Sequence, residues 1–131
     1  ILMNGKISFD TNIVIRLFKN DKAVINLLSR KSMIYLPVPV TAELLFAAKN
    51  SGRPKENLKT YNEFIDTCRV LNITRKTADK YSAIRLQLKQ KGRPIPENDL
   101  WIAAVCIENN LPIITVDEHF DNVEGLEVVN V

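Results

Sequence analysis

A chain of 131 residues with 46% hydrophobic and 25% charged residues has the make-up of a globular protein, which excludes a disordered or fibrous polymer. Its apolar runs fall far short of the ~20 residues that cross a bilayer, and no basic stretch leads an apolar run as in a secretion signal. The expectation is one cytoplasmic domain over residues 1–131, with no membrane association and Ile1-Leu2 ahead of Met3 read as cloning residue. A net charge of +3 permits an anionic partner without requiring one. Cys68 and Cys106 lack CxxC spacing and the chain has one histidine, so buried free thiols are expected and a zinc site is not.

The first strand is predicted at Lys6-Ile7-Ser8-Phe9, where Ile7 and Phe9 alternate with polar residues as in a half-buried strand. Asp10-Thr11-Asn12 then supplies helix-capping residues, and Asn12 to Lys19 reads as a short helix. A second follows over Lys22 to Arg30, with Val24, Leu27 and Leu28 on one face. Met33 to Leu36 is a short strand closed by Pro37 and Pro39, and Val40 to Lys49 is a strongly apolar helix. Residues 54–67 suit another helix, Arg69 to Ile73 a brief strand, and Thr74 to Gln90 the longest helix, stopped at Gly92. After the stiff Arg93-Pro94-Ile95-Pro96 stretch come a helix over Glu97 to Asn109, a strand over Pro112 to Val116, and a last strand over Leu126 to Val131. Strands alternating with helices indicate an α/β fold with a mainly parallel sheet.

Fifteen residues are acidic, so most must be surface charge. Helical neighbours three and four positions away sort them. Asp79 sits among Arg75, Lys76 and Ser82, and Asp66 among Asn62 and Arg69, as solvated charges do. Glu43 differs, with Pro39, Val40, Phe46 and Ala47 on its face, and so does Asp99, with Ile95, Pro96, Ile102 and Ala103. A carboxylate on an apolar face costs several kcal/mol unless it is paired, hydrogen-bonded or metal-bound. Helix capping for Asp99 and a half-exposed position at the core edge for Glu43 are the plainer alternatives. Asp10 and Asp117 each end a strand, which puts both at the carboxyl edge of a parallel sheet, where α/β folds bind ligands; Asp10 alone reads equally as a cap. Were these acids to gather within ~5 Å, each pair would repel by roughly 3 kcal/mol, and several pairs rival the ~5–15 kcal/mol that holds a domain together. A divalent cation with oxygen ligands, Mg²⁺ or Mn²⁺, removes that conflict.

These residues together resemble the PIN-domain ribonucleases, specifically the VapC toxins of bacterial and archaeal toxin–antitoxin pairs. The likeness runs through Asp10-Thr11-Asn12, Thr41-Ala42-Glu43-Leu44, Gly92, Asn98-Asp99 with Ile102-Ala103-Ala104, Thr115-Val116-Asp117-Glu118-His119-Phe120, and Gly125-Leu126-Glu127-Val128, nearly the whole chain in order. It implies a three-layer α/β/α sandwich and an Mg²⁺- or Mn²⁺-dependent endoribonuclease whose catalytic acids are Asp10, Glu43, Asp99 and Asp117. Asp10, Asp99 and Asp117 are the implied metal ligands, Glu43 orients water or completes a ligand shell, and Asn12 and Thr115 support. Such a site releases a 5′-phosphate and a 3′-hydroxyl. Many relatives carry a further acid where this chain has His119, which leaves one or two ions open; for His119 itself the preferred reading is a structural cover over the site, with RNA contact as the other.

The resemblance further implies an RNA substrate, a VapB-type antitoxin that masks the site, and a homodimer. Arg16, Lys49, Arg53, Arg85, Lys89, Lys91 and Arg93 are candidates for phosphate contact, with Arg85 and Arg93 the chosen pair. The second helix and the 54–67 helix are the expected walls of an antitoxin groove. Two other readings belong to the same fold: an RNA-processing nuclease without antitoxin, and a catalytically silent RNA- or partner-binding module. A receiver-type phosphoryl-transfer protein needs an acid pair after its first strand, and here Phe9 precedes Asp10.

Overall fold

The computed structural model describes residues 5–28 and 32–131. Its elements follow the predicted order: β1 (Lys6–Phe9), α1 (Thr11–Phe18), α2 (Lys22–Leu27), β2 (Met33–Pro37), α3 (Val38–Lys49), α4 (Pro54–Thr67), β3 (Arg69–Leu71), α5 (Arg75–Lys91), α6 (Glu97–Glu108), β4 (Ile113–Thr115) and β5 (Val128–Asn130), with a 3-10 turn at Glu118–Asn122. The expected end of the second helix at Ser29 and Arg30, and the reading of residues 1–3, lie outside the described residues.

β1 departs from the expected alternation. Ser8 is as fully buried as Ile7 and Phe9 on either side of it. Its Oγ donates to Pro112 O at 2.7 Å and lies 3.1 Å from Cys106 Sγ, which satisfies a hydroxyl in the core. β1 is therefore covered on both faces, as central parallel strands are. Burial also pushes the Cys106 thiol up to about 12.

The junction of β2 and α3 differs too. The strand runs through Pro37 and the helix starts at Val38 with no residue between them, so Pro39 lies in the first turn. A first-turn position has no intrahelical partner for an N–H, so proline loses nothing there. α5 begins as expected, with a reciprocal capping box between Thr74 and Thr77, and ends at Gly92 with φ +70°, a left-handed conformation glycine adopts without strain.

The five strands pair in the order β3-β2-β1-β4-β5, all parallel, with Ser8 opposite Ile113 and Phe9 opposite Ile114. The chain steps outward from β1 to β2 to β3 and then returns across to β4. Right-handed crossovers put the outward connections on one face and the return through α5 and α6 on the other. The result is the three-layer α/β/α sandwich. Its core joins Ile7, Phe9 and Ile114 of the sheet to Val14, Leu44, Leu88 and Ile102 of the helices, with Phe120 of the 3-10 turn. Among the described residues no helix is long and apolar enough to cross a membrane.

Candidate functional site

β1 leads away toward β2, while β4 is entered from the opposite direction, so the strand order reverses between these two neighbours. At such a switch point the loops diverge above and below the sheet and leave a crevice at its carboxyl edge. Asp10 follows β1 directly, and Asp117 stands two residues beyond β4. The backbone extends the pairing one step further, since Asp10 N donates to Ile114 O at 3.0 Å.

Asp10 is 5% exposed and has both carboxylate oxygens engaged. Oδ1 accepts from Thr11 N at 2.8 Å, capping α1, and Oδ2 accepts from Thr115 Oγ1 at 2.8 Å. The Thr115 hydroxyl in turn accepts from Asp117 N at 2.9 Å, so one side chain joins the ends of both strands. Burial raises the Asp10 carboxyl above its ordinary range, the Glu43 and Asp117 charges add to this, and the bonds from Thr115 and Thr11 oppose it.

Asp99 enters from the first turn of α6. Its carboxyl is pushed up to about 6, first by burial and then by the charges of Asp10 and Asp117, with His119 opposing. The His119 ring lies against both acids, with Nδ1 3.0 Å from Asp117 Oδ1 and 3.4 Å from Asp99 Oδ2. Asp99, Asp117 and His119 can each offer one ligand atom within 4.8 Å of the others, an arrangement that could hold a cation. Asp117 also caps the 3-10 turn, accepting from His119 N at 2.9 Å, which fixes where the histidine emerges.

Glu43 reaches the site by a different route. Oε1 accepts from Thr11 Oγ1 at 2.5 Å, so α3 is tied to the residue that follows Asp10. The structure thus brings Asp99 and Asp117 together with His119, sets Asp10 beside them through Thr115 and outside that cluster, and ties Glu43 to Thr11 on the flank of Asp10. Asn12 is exposed on α1, and its neighbour Thr11 makes the bond to Glu43. Thr11 does not stand out in the sequence. Its only signal was a hydroxyl directly after the capping acid, which capping alone explains.

The candidate RNA contacts are spread around the molecule. Arg16 pairs with Asp21 at 3.6 Å and Arg53 with Glu56 at 3.3 Å. Arg85 donates to the Tyr81 hydroxyl at 3.0 Å, which itself donates to Glu97, and Tyr81 stacks on Trp101 with centroids 4.0 Å apart. Arg85 and Lys89 also line a cleft of about 420 Å³ with Pro94, Ile95, Glu97 and Leu100, next in sequence to Asp99. Arg93 is exposed in the loop entering α6. As for the expected groove walls, α4 packs Tyr61 and Phe64 on Phe18 of α1, at 4.9 and 5.3 Å, while Ile25 of α2 remains 42% exposed.

Comparison with known proteins agrees with this fold. The PIN domain model matches residues 7–126. The tRNA(fMet)-specific endonuclease VapC of Shigella flexneri is 31% identical over 125 residues, covering 92% of this chain and 94% of that one. Ribonuclease VapC2 of Rickettsia felis is 30% identical over 110 residues, covering 81% and 82%. Among solved structures, that of VapBC2 from Rickettsia felis bound to a promoter DNA fragment superposes with a TM-score of 0.88 at 26% identity, over 96% of this chain and 98% of the other. VapBC from Salmonella typhimurium bound to DNA gives 0.84, also at 26% identity, over 95% and 97%. With the sheet order, the acids at the switch point and these matches in agreement, the chain belongs to the PIN-domain family, alongside the VapC ribonucleases.

Proposed function

We propose that this protein is a divalent-metal-dependent endoribonuclease and the toxin of a VapBC-type toxin–antitoxin pair, acting on RNA in the cytoplasm. The observation that carries the reading is the convergence at the switch point, where burial and two neighbouring carboxylates hold Asp99 at about 6. Among the described residues, His119 is the only side chain in an ion pair with Asp99 or Asp117. A donor set of carboxylate oxygens with so little protein countercharge fits Mg²⁺ or Mn²⁺.

Asp10, Asp99 and Asp117 would hold the ion. When bound, it supplies positive charge to the scissile phosphate and makes water a better nucleophile at neutral pH. The chain's own residues do the positioning. Thr115 fixes the Asp10 and Asp117 ends relative to each other, and Thr11 aims Glu43, whose carboxylate orients the attacking water for in-line displacement. Water attack at phosphorus with departure of the 3′-oxygen leaves a 5′-phosphate and a 3′-hydroxyl. Arg85 and Arg93, both exposed, offer phosphate contacts that give affinity without sequence choice. The relatives solved as VapBC complexes support a VapB-type antitoxin as partner.

RNA cleavage with Mg²⁺ or Mn²⁺ tests this, comparing wild type with Asp10→Asn and Asp99→Asn. Loss of at least a hundredfold in each variant is expected, and equal cleavage by all three would overturn the assignment. Co-purification with the product of a short adjacent frame carrying a DNA-binding pattern tests the toxin reading.

A further inference from the structure

His119 brings the one nitrogen donor to a cluster otherwise made of carboxylates. Its ring Nδ1 stands 3.0 Å from Asp117 Oδ1 and 3.4 Å from Asp99 Oδ2. These are ion-pair distances, and they also leave the three donors close enough to converge on one ion, since with bonds of ~2.1 Å neighbouring donors lie about 3.0–3.4 Å apart. The placement is built in, because the backbone N–H of His119 donates to the carboxylate of Asp117 at 2.9 Å and so sets the ring's point of departure. Asp99 approaches from another element, α6, so the three donors converge from two sides.

Imidazole nitrogen changes which ion such a site prefers. Mg²⁺ is a hard cation that takes oxygen ligands, whereas first-row transition ions bind imidazole well, with affinity rising from Mn²⁺ to Cu²⁺ and Zn²⁺ still above Mn²⁺. We propose that His119 is itself a metal ligand, and that its ring nitrogen turns the site from Mg²⁺ toward Mn²⁺ and the later first-row divalent ions. This rests on the metal-site reading above and adds the identity of one ligand and the selectivity it confers. A ring that only hydrogen-bonds the two acids would leave the choice of ion untouched.

The test needs no RNA. Mn²⁺ and Mg²⁺ affinities are measured by calorimetry on wild type, His119→Ala, His119→Asp and Asp99→Asn, with folding checked by circular dichroism, and Mn²⁺-loaded samples are examined by pulsed EPR. The wild type should show the coupling of a directly bonded nitrogen, absent from both His119 variants. The ratio of Mn²⁺ to Mg²⁺ affinity should fall at least tenfold in His119→Asp, which supplies oxygen in place of nitrogen. No nitrogen coupling in the wild type, or an unchanged ratio in both His119 variants, overturns the proposal. If that happens while Asp99→Asn still abolishes binding, the metal site stands and only its nitrogen ligand is wrong. If wild type binds neither ion, or Asp99→Asn binds both as tightly as wild type, the metal-site reading fails as well.

Discussion

Asp99→Asn should stabilise the metal-free protein at neutral pH. The folded state raises the Asp99 carboxyl from its ordinary 3.8 to about 6. Between those values the unfolded chain has released this proton and the folded chain still holds it, so stability falls as pH rises through the window and the loss is complete above it. At about 1.4 kcal/mol for each pH unit, the full cost is about 3 kcal/mol. Asparagine cannot ionise and avoids most of that cost, in which the opposing contact with His119 is already counted, so a net gain of roughly 2–3 kcal/mol is expected, or about 6–12 °C in Tm. Urea denaturation in EDTA at pH 4 and pH 7.5 measures it. The two proteins should be nearly equal at pH 4, with the variant ahead at pH 7.5. A divalent ion at a thousand times its Kd favours the wild type by about 4.1 kcal/mol and should reverse the order. A variant no more stable than wild type at pH 7.5, or a difference that does not grow with pH, would refute the account of Asp99 as a carboxylate destabilised by its neighbours.

The other hydroxyls and thiols give sharper local tests. Thr115→Val strands the buried Asp10 Oδ2 and the half-buried Asp117 N and should cost ~2–4 kcal/mol, read from the urea midpoint. Thr11→Val frees Glu43 from its partner and should slow RNA cleavage roughly tenfold, worth about 1.4 kcal/mol, while Tm stays within ~3 °C; an unchanged rate would remove Thr11 from the site. Burial pushes the Cys68 thiol up to about 11 and Cys106 to about 12, so Ellman's reagent at pH 8 should label neither quickly until urea is added. Fast labelling of Cys106 in the folded protein would contradict the packing around Ser8.

The sequence showed the acids better than it showed what holds them. Glu43 and Asp99 stood out because their same-helix neighbours are apolar, and periodicity reports such faces directly. Asp66 and Asp79, read as solvated, are exposed. Periodicity is blind to partners from other elements, so the bond from Thr11 to Glu43 and the ring of His119 against Asp99 were not visible, being set by how α1, α3 and α6 meet. Ser8 misled for a related reason. A small hydroxyl with a partner in the core can fill a buried strand position, and its polarity mimics the outward half of an alternation. The early start of α3 was hidden by two prolines whose usual meaning is a break. The 3-10 turn after Asp117 left little pattern in only five residues, yet it is what brings His119 to the acids.

The direct passage from β2 into α3 makes spacing at that point part of the site. Each residue added to a helix rotates the remainder of that helix by about 100° and shifts it by ~1.5 Å. With no loop residue to absorb the change, a single insertion between Pro37 and Val38 would swing the Glu43 carboxylate away from Thr11 without altering any residue of the site. The turn between α3 and α4 is held through Ser51 but is free at Gly52, which is exposed and where an added side chain meets open space. Length variation and inserted tags should therefore be tolerated after α3 and rejected before it, a boundary that insertional scanning of this chain would draw within a few residues.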